Sequence, residues 1–496
     1  MLFSSMVFMW IFLPTVLVVN GILTFIPFRN ERNRILSKNF FLLFASLFFY
    51  AWGGIYYLLI MLFSIALNFF GGLLLHKFRD NRKKRKLTLI AVIILNFAML
   101  FFFKYFNMTV VMIESVIESF SGGPNAFLAM LTMQGTGKLG LPYIVLPIGI
   151  SFFTFQAMSY VVDIYQEKAE LQTNIMSFAL YVSLFPQLIA GPIVKYSDVA
   201  LQLNYRKETM DLFFSGQKRF CYGLGKKVLI SNTLAQVVDN IWKTDVSTIG
   251  TPLAWFGVLA YALQIYYDFS GYSDMAIGIG RMLGFTFKEN FDYPYTALSV
   301  AEFWRRWHIS LSSWFKEYVY IPLGGNRKGL ARTCLNVLIV FFLTGIWHGA
   351  NFTFLLFGLY YAALQIIERL FLGKLLKKNP VKILNLLYTL LAVMIGWVLF
   401  RAENIYRALD YLGQMFSFTP SGINMLTYLS MQVILAIVFG ILFCGVVQRP
   451  LKSLYDKVKT TLPCMIADLA LQIVLLAVCI LMLASGTYNP FIYFQF

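Results

Sequence analysis

Charge is scarce in this sequence, and histidine and cysteine are scarcer. Asp, Glu, Lys and Arg make up 13% of 496 residues, with only three histidines and five cysteines, while 59% of the chain is hydrophobic and 18% aromatic. So little charge excludes an ordinary soluble domain, where about a quarter of residues are charged. It equally excludes a solvated, disordered chain. The cysteines (Cys221, Cys334, Cys444, Cys464, Cys479) have neither metal-ligand spacing nor a paired framework, so they read as small apolar fillers. Acidic residues are the rarer sign, 23 against 41 basic ones. The resulting charge of +18 could point to nucleic acid, but the basic residues recur in short clusters between apolar runs instead of covering one face. Clusters such as "KFRDNRKKRK" (77–86) and Lys374/Lys377/Lys378/Lys382 follow the positive-inside pattern, so the charge reports topology and no nucleic-acid partner is expected.

What the chain does have is long apolar runs. Mean hydropathy is +0.70, and runs of about 17–25 residues, enough to cross the hydrocarbon core, recur from end to end as about eleven spans or re-entrant segments. The expectation is an all-α polytopic membrane protein, one transmembrane domain over 1–496, with the lipid bilayer as its solvent. The first apolar stretch has no basic leader and no small-residue cleavage site, so it reads as a retained span. With the basic clusters cytoplasmic, 39–76 forms a hairpin turning at Gly53-Gly54, 88–106 crosses, "SGGPNAF" (121–127) lies outside and 141–165 returns. Residues 175–194, with Pro186 and Gly191-Pro192, predict a broken or re-entrant segment buried by protein. Lys218, Arg219, Lys226 and Lys227 among apolar residues predict amphipathic helices on the cytoplasmic surface over 205–243. Basic loops on either side of 333–368 force a second hairpin with short limbs and His348 at its apex, followed by spans at 383–400, 428–447 and 465–485. No internal repeat of the transporter kind is present.

Three stretches put polar groups where a bilayer excludes them. In 264–284 the spacing lets Asp268 meet Tyr272, and Ser270 meet Asp274, as i,i+4 pairs, either as a functional site or as a buried network joining helices. The glycines of "GIGRMLG" (278–284) miss dinucleotide-loop spacing and read as packing residues. In "AEFWRRWHISLSSW" (301–314) a continuous helix would place Trp304 with His308, and Glu302 with Arg306, on shared faces. Arg305 and Arg306 between tryptophans fit an interfacial or re-entrant helix with its cations toward phosphate. Arg327 and Lys328 in "LGGNRKG" fit either a phosphate contact or a positive-inside loop. In "FFLTGIWHGANFTF" (341–354), His348 has no nucleophile motif or metal motif beside it. A general base acting on a hydroxyl brought by another molecule is its natural chemistry, against the plainer reading of a satisfied structural histidine.

These residues have a familiar order. "PIGISFFTFQAMSYVVDIY" (147–165), "LFPQLIAGPIVKY" (184–196), "QIYYDFSGYSDMAIGIGRMLGF" (264–285), "NFDYPYTALSVAEFWRRWHISLSSWFKEYVYIPLGGNRKG" (290–329) and "GIWHGANFTFLLFGLYYA" (345–362) resemble the bacterial alginate O-acetyltransferase branch of the membrane-bound O-acyltransferase family. The resemblance implies a helical bundle with re-entrant segments and a funnel-like interior, set in the bacterial cytoplasmic membrane. It implies that an acyl group passes from a cytoplasmic thioester, acetyl-CoA, to a cell-surface polysaccharide (an exopolysaccharide or peptidoglycan), without a metal. His348 matches the family's histidine and His308 its second polar position, while Arg305, Arg306, Arg327 and Lys328 become candidates for the phosphates of acetyl-CoA. D-alanyl transfer to teichoic acid remains an alternative within the branch, and a polysaccharide flippase one outside it. The tail "YNPFIYFQF" (488–496), six of nine residues being Tyr, Phe or Ile, is too aromatic for a free end and is expected to fold back into an apolar groove. Similar tails occur in this branch. Tyr493 is therefore a candidate acyl carrier, handing acetyl to an extracytoplasmic esterase-like partner, against the plainer reading of an aromatic anchor.

Overall fold

A computed structural model of the chain describes residues 1–120, 144–486 and 488–492. Among these residues there is no strand, and nine helices are long and apolar enough to cross a membrane: Phe8–Phe25, Glu31–Ala51, Ile55–Lys77, Arg82–Ile117, Val246–Met282, Leu330–His348, Phe352–Lys378, Lys382–Arg401 and Leu462–Ser485. A further pair, Met431–Val446 and Gln448–Val458, is bent by 72°. Many of their large apolar side chains point outward, as Leu469, Ile473 and Val474 do on the last helix. That is the expected arrangement when the solvent is hydrocarbon. The protein is a multi-pass membrane protein.

The first hairpin turns at Gly53-Gly54, where Gly54 has φ 144°. The fourth span is longer than the 88–106 read from hydropathy, because nothing between 107 and 120 breaks the helix, which runs over Arg82–Phe120. The "SGGPNAF" segment lies outside the described residues. The chain re-enters through helix Ile150–Tyr165, which is almost wholly buried. Gly149 begins it with φ 76°, and a Cβ there would stand 2.8 Å from the Leu188 carbonyl oxygen, so only glycine fits. The segment 175–194 is broken as its prolines and glycine predict, into Ile175–Ser183 and Phe185–Leu188, both buried in protein.

The region 205–243 corrects part of the sequence reading. Its helices are amphipathic as read, with Met210 and Phe214 exposed, but their inner face packs on the long helix Val246–Met282 along Met210–Gly225, a π-helical turn Lys226–Asn232 and Thr233–Lys243, and Lys227 is buried there. Glycines allow the approach. A Cβ on Gly216 would lie 2.4 Å from the Gly278 oxygen, and one on Gly223 2.7 Å from the Gly271 oxygen. Gly278 is thus a packing glycine, as its spacing indicates. Buried amides add polar glue elsewhere: Asn68 and Asn96 exchange reciprocal side-chain hydrogen bonds of 2.9 and 3.0 Å.

Candidate active site

Helix Leu330–His348 and helix Phe352–Ile367 form the second hairpin. The limbs touch backbone to backbone: a Cβ on Gly345 would lie 2.5 Å from the Phe354 oxygen, and one on Gly358 2.3 Å from the Phe341 oxygen. Asn351 makes the turn. Its Oδ1 accepts the Thr353 N–H at 3.0 Å, capping the second limb, and its Nδ2 donates to the Glu403 carbonyl at 2.7 Å. His348 is therefore the last residue of a helix that stops inside the protein, and it is 3% exposed. Its ring packs among Trp347 at 5.1 Å, Phe357 at 5.7 Å and Phe400 at 5.1 Å between centroids.

His308 is wholly buried on the other side of Trp347, whose ring centroid lies 5.8 Å from its own. Here the spacing argument fails. The chain does not run as one helix through 301–314: Val300–Arg306 ends, His308 takes φ 46°, and Ile309–Phe315 begins again. Trp304 and His308 share no helical face. Ser312 Oγ donates to the Trp304 carbonyl at 3.1 Å, whereas the His308 partners are Asn290 and Ser310. His308 Nδ1 donates to Asn290 Oδ1 at 3.2 Å, which places its proton on Nδ1, and Ser310 Oγ donates to the same oxygen at 2.8 Å. The first short helix opens on a capped turn. Ser299 Oγ accepts the Glu302 N–H at 3.1 Å while the Glu302 carboxylate accepts the Leu298 N–H at 2.8 Å.

A cleft of about 1130 Å³ runs from the "GGNR" loop to Thr344, one turn before His348 on the same helix. Arg305, Lys316, Arg327, Lys328 and Arg369 line it, together with Trp304, Ser312 and Ser313, and no Asp or Glu does. Arg306 is not part of it, being turned to Glu302 and to Thr296 Oγ1, the latter at 3.0 Å. Beyond His348 lies a small cavity of about 30 Å³, the space of one water, lined by Lys104, Gly149, Ser151, Phe152, Trp347 and His348 among others. A third, almost wholly apolar groove of about 900 Å³ flanks Trp347 and Gly349 beside helix Arg82–Phe120.

The i,i+4 pairs of the long helix do not form. Asp268 pairs with Lys227, the two side chains being 1% and 2% exposed. Asp274 instead accepts from Arg219 at 2.7 Å and from Lys226 at 2.6 Å. Both carboxylates join helices. Asp268 Oδ2 also accepts the Ile492 N–H at 2.9 Å, and Lys227 donates to the Pro490 carbonyl. Asn489 Nδ2 donates to Ser4 Oγ at 2.9 Å and its Oδ1 accepts from Asn232 Nδ2 at 3.1 Å, and the Phe491 ring lies 4.8 Å from Tyr272. The described part of the tail, residues 488–492, folds back: Phe491 and Ile492 are buried beside the turn whose Phe269 packs on His308 at 4.6 Å. Tyr493 lies outside the described residues. Lys104 and Asn290 were missed in the sequence, although a lone lysine in "LFFFKYF" was signal enough to ask what holds it. Among the described residues no three His, Cys, Asp or Glu side chains group as metal ligands.

Residues 117–409 match the model of the membrane-bound O-acyltransferase family. The chain is 38% identical to the probable alginate O-acetylase AlgI of Pseudomonas putida over the full length of both proteins. It is 35% identical to the peptidoglycan O-acetyltransferase of Helicobacter pylori over 84% of this chain and 80% of that one. Similarity to the teichoic acid D-alanyltransferase of Bacillus subtilis is 26% over 45% of this chain and 59% of that one.

Proposed function

We propose, from the premise that this chain belongs to the membrane-bound O-acyltransferase family and is a membrane O-acyltransferase, that it moves acetyl from cytoplasmic acetyl-CoA to a hydroxyl of a cell-surface polysaccharide across the bacterial cytoplasmic membrane. The observation that carries the reading is the acid-free cleft ending one turn from His348. Arg305, Arg327 and Lys328 meet the phosphates of the donor at its mouth, and the thioester reaches inward past Ser312 and Thr344. His348 takes the proton from the attacking hydroxyl. The oxygen adds to the thioester carbonyl, the tetrahedral intermediate collapses, and CoA leaves as a thiol after receiving that proton. His308, its proton fixed by Asn290, lines the same interior as a supporting group. Alginate and peptidoglycan, the polymers named for the full-length and near full-length relatives, fit the acceptor class better than teichoic acid, whose D-alanyltransferase covers less than half of this chain.

Tyr493 serves as an intermediate carrier. Its phenol is the hydroxyl that attacks acetyl-CoA, giving its proton through His348 to the departing CoA thiol, and the resulting aryl ester then passes acetyl to the polymer hydroxyl or to an extracytoplasmic esterase-like partner, regenerating the phenol. A thiol (pKa about 8.5) leaves more readily than a phenol (about 10), and a phenol more readily than a sugar alkoxide, so each handover runs downhill. The buried anchoring of residues 489–492 near Phe269 supports this role.

Purified protein with acetyl-CoA tests both steps. His348→Gln is expected to lose transfer by about 10²–10⁴-fold while folding normally. Peptide mass spectrometry is expected to find an acetyl adduct on the tail in the wild type and none in Tyr493→Phe. Half of wild-type activity in His348→Gln removes the base, and full polymer acetylation by Tyr493→Phe removes the carrier.

A further inference from the structure

A helix that stops inside a membrane protein leaves its last carbonyls without intrahelical partners and without water. The helix carrying His348 stops in this way, and three of those carbonyls are met by two adjacent side chains of helix Arg82–Phe120. Tyr105 Oη donates to the Ile346 oxygen, while Lys104 Nζ donates to the Trp347 oxygen and, at 3.3 Å, to that of His348 itself. The remaining contact of the ammonium is Ser151 Oγ at 3.3 Å, and the Trp347 ring centroid lies 5.7 Å away. Lys104 is 8% exposed and no carboxylate among the described residues pairs with it. An ammonium without an anion is costly at this depth. The negative end of the helix dipole favours a cation at this place, and Lys104 sits in the wall of the cavity that His348 also lines.

We propose that Lys104 is the positioning residue for His348: its ammonium clamps the final carbonyls of the helix and so fixes where the imidazole stands. The proposal rests on the reading of His348 as the base. The logic is geometric, because the imidazole hangs from the last residue of a helix whose two final carbonyls the ammonium binds, and a misplacement of about 1 Å at a reacting group costs about 10²-fold in rate. The nearby Tyr105 bond holds the preceding carbonyl, one residue further from the ring, so its removal matters less.

Steady-state kinetics on purified full-length variants test this. Lys104→Met is expected to lower kcat by about 10²-fold with KM for acetyl-CoA within about threefold of wild type. Lys104→Gln, which keeps a donor for the carbonyls, is expected to recover about tenfold of that loss, and Tyr105→Phe to lose less than about tenfold. A residue acting only through His348 adds nothing once His348 is gone, so Lys104→Met in a His348→Ala background is expected to be no slower than His348→Ala alone. Losses that multiply in the double variant, more than a third of wild-type kcat in Lys104→Met, or no gain from Met to Gln would each overturn the proposal. If Lys104→Met does not fold, the Lys104→Gln/His348→Ala pair carries the same additivity test. An active His348→Ala overturns the base and its positioning together, whereas an inactive His348→Ala beside an active Lys104→Met overturns only the positioning.

Discussion

His348 and His308 are both buried imidazoles, and what separates their roles is where each sits on the backbone. His348 closes a helix one turn beyond the last residue of that helix to line the basic cleft, and His308 sits in a left-handed kink tied to Asn290. Asn290 Oδ1 takes bonds from His308, the Ser310 N–H and the Ser310 hydroxyl, and its Nδ2 donates to Ser273 at 3.1 Å. Asn290→Leu would leave several buried donors without an acceptor, at about 1–3 kcal/mol each. The expected outcome is a lower melting temperature together with lower transfer, read by fluorescence-detected unfolding and kinetics; wild-type values for both would show that the hub is dispensable. The candidate histidines were legible because histidine is so rare here and because the flanking words resemble a family. Their partners were not. Asn290 reaches His308 through a loop reversal, and Lys104 lies 244 residues from His348, distances that no local spacing encodes.

Helices and their breaks were legible to different degrees. Apolar run length, glycine turns and prolines gave the hairpins and the broken, buried segment at 175–194, because hydrocarbon leaves the backbone few alternatives to helix; the second hairpin's limbs, expected to be short, are instead long enough to cross, with 19 residues in Leu330–His348 and 27 in Phe352–Lys378. Two readings failed for one reason. The 205–243 helices are amphipathic as read, but the reading put all their cations on the outer face, whereas Lys227 turns inward at a π-helical turn to meet Asp268. The 301–314 stretch looked continuous until tertiary contacts kinked it at His308. In both, a partner distant in sequence overrode the local pattern. The hairpin holding His348 depends on Gly345 and Gly358, so Gly345→Val should push the limbs apart: no side-chain shift can relieve a contact with the Phe354 carbonyl oxygen. Reduced membrane yield and lost activity are expected, and a fully active Gly345→Val would show that the limbs can separate without moving the site.

Across the whole molecule, the two aromatic cores meet around the site, with Trp347 in one and Phe354 and Phe357 in the other, while the tail closes the assembly by returning to Ser4, Lys227 and Asp268. Breaking a buried ion pair on one side costs about 3–5 kcal/mol, since the remaining charge has no water. Asp268→Asn is therefore expected to loosen the tail, making it sensitive to carboxypeptidase under conditions that leave the wild type intact; equal resistance in both would mean that the aromatic packing of Phe491 and Ile492 suffices. The central claim, that acetyl crosses the membrane past His348, is tested most directly in proteoliposomes carrying the protein in one orientation. Labelled acetyl-CoA is supplied on the side of the "GGNR" loop and a polysaccharide acceptor on the other. The account expects label to appear on the acceptor with wild-type protein and to vanish with His348→Gln, with no transfer when donor and acceptor exchange sides. Undiminished labelling with His348→Gln, or equal labelling from either side, would contradict it.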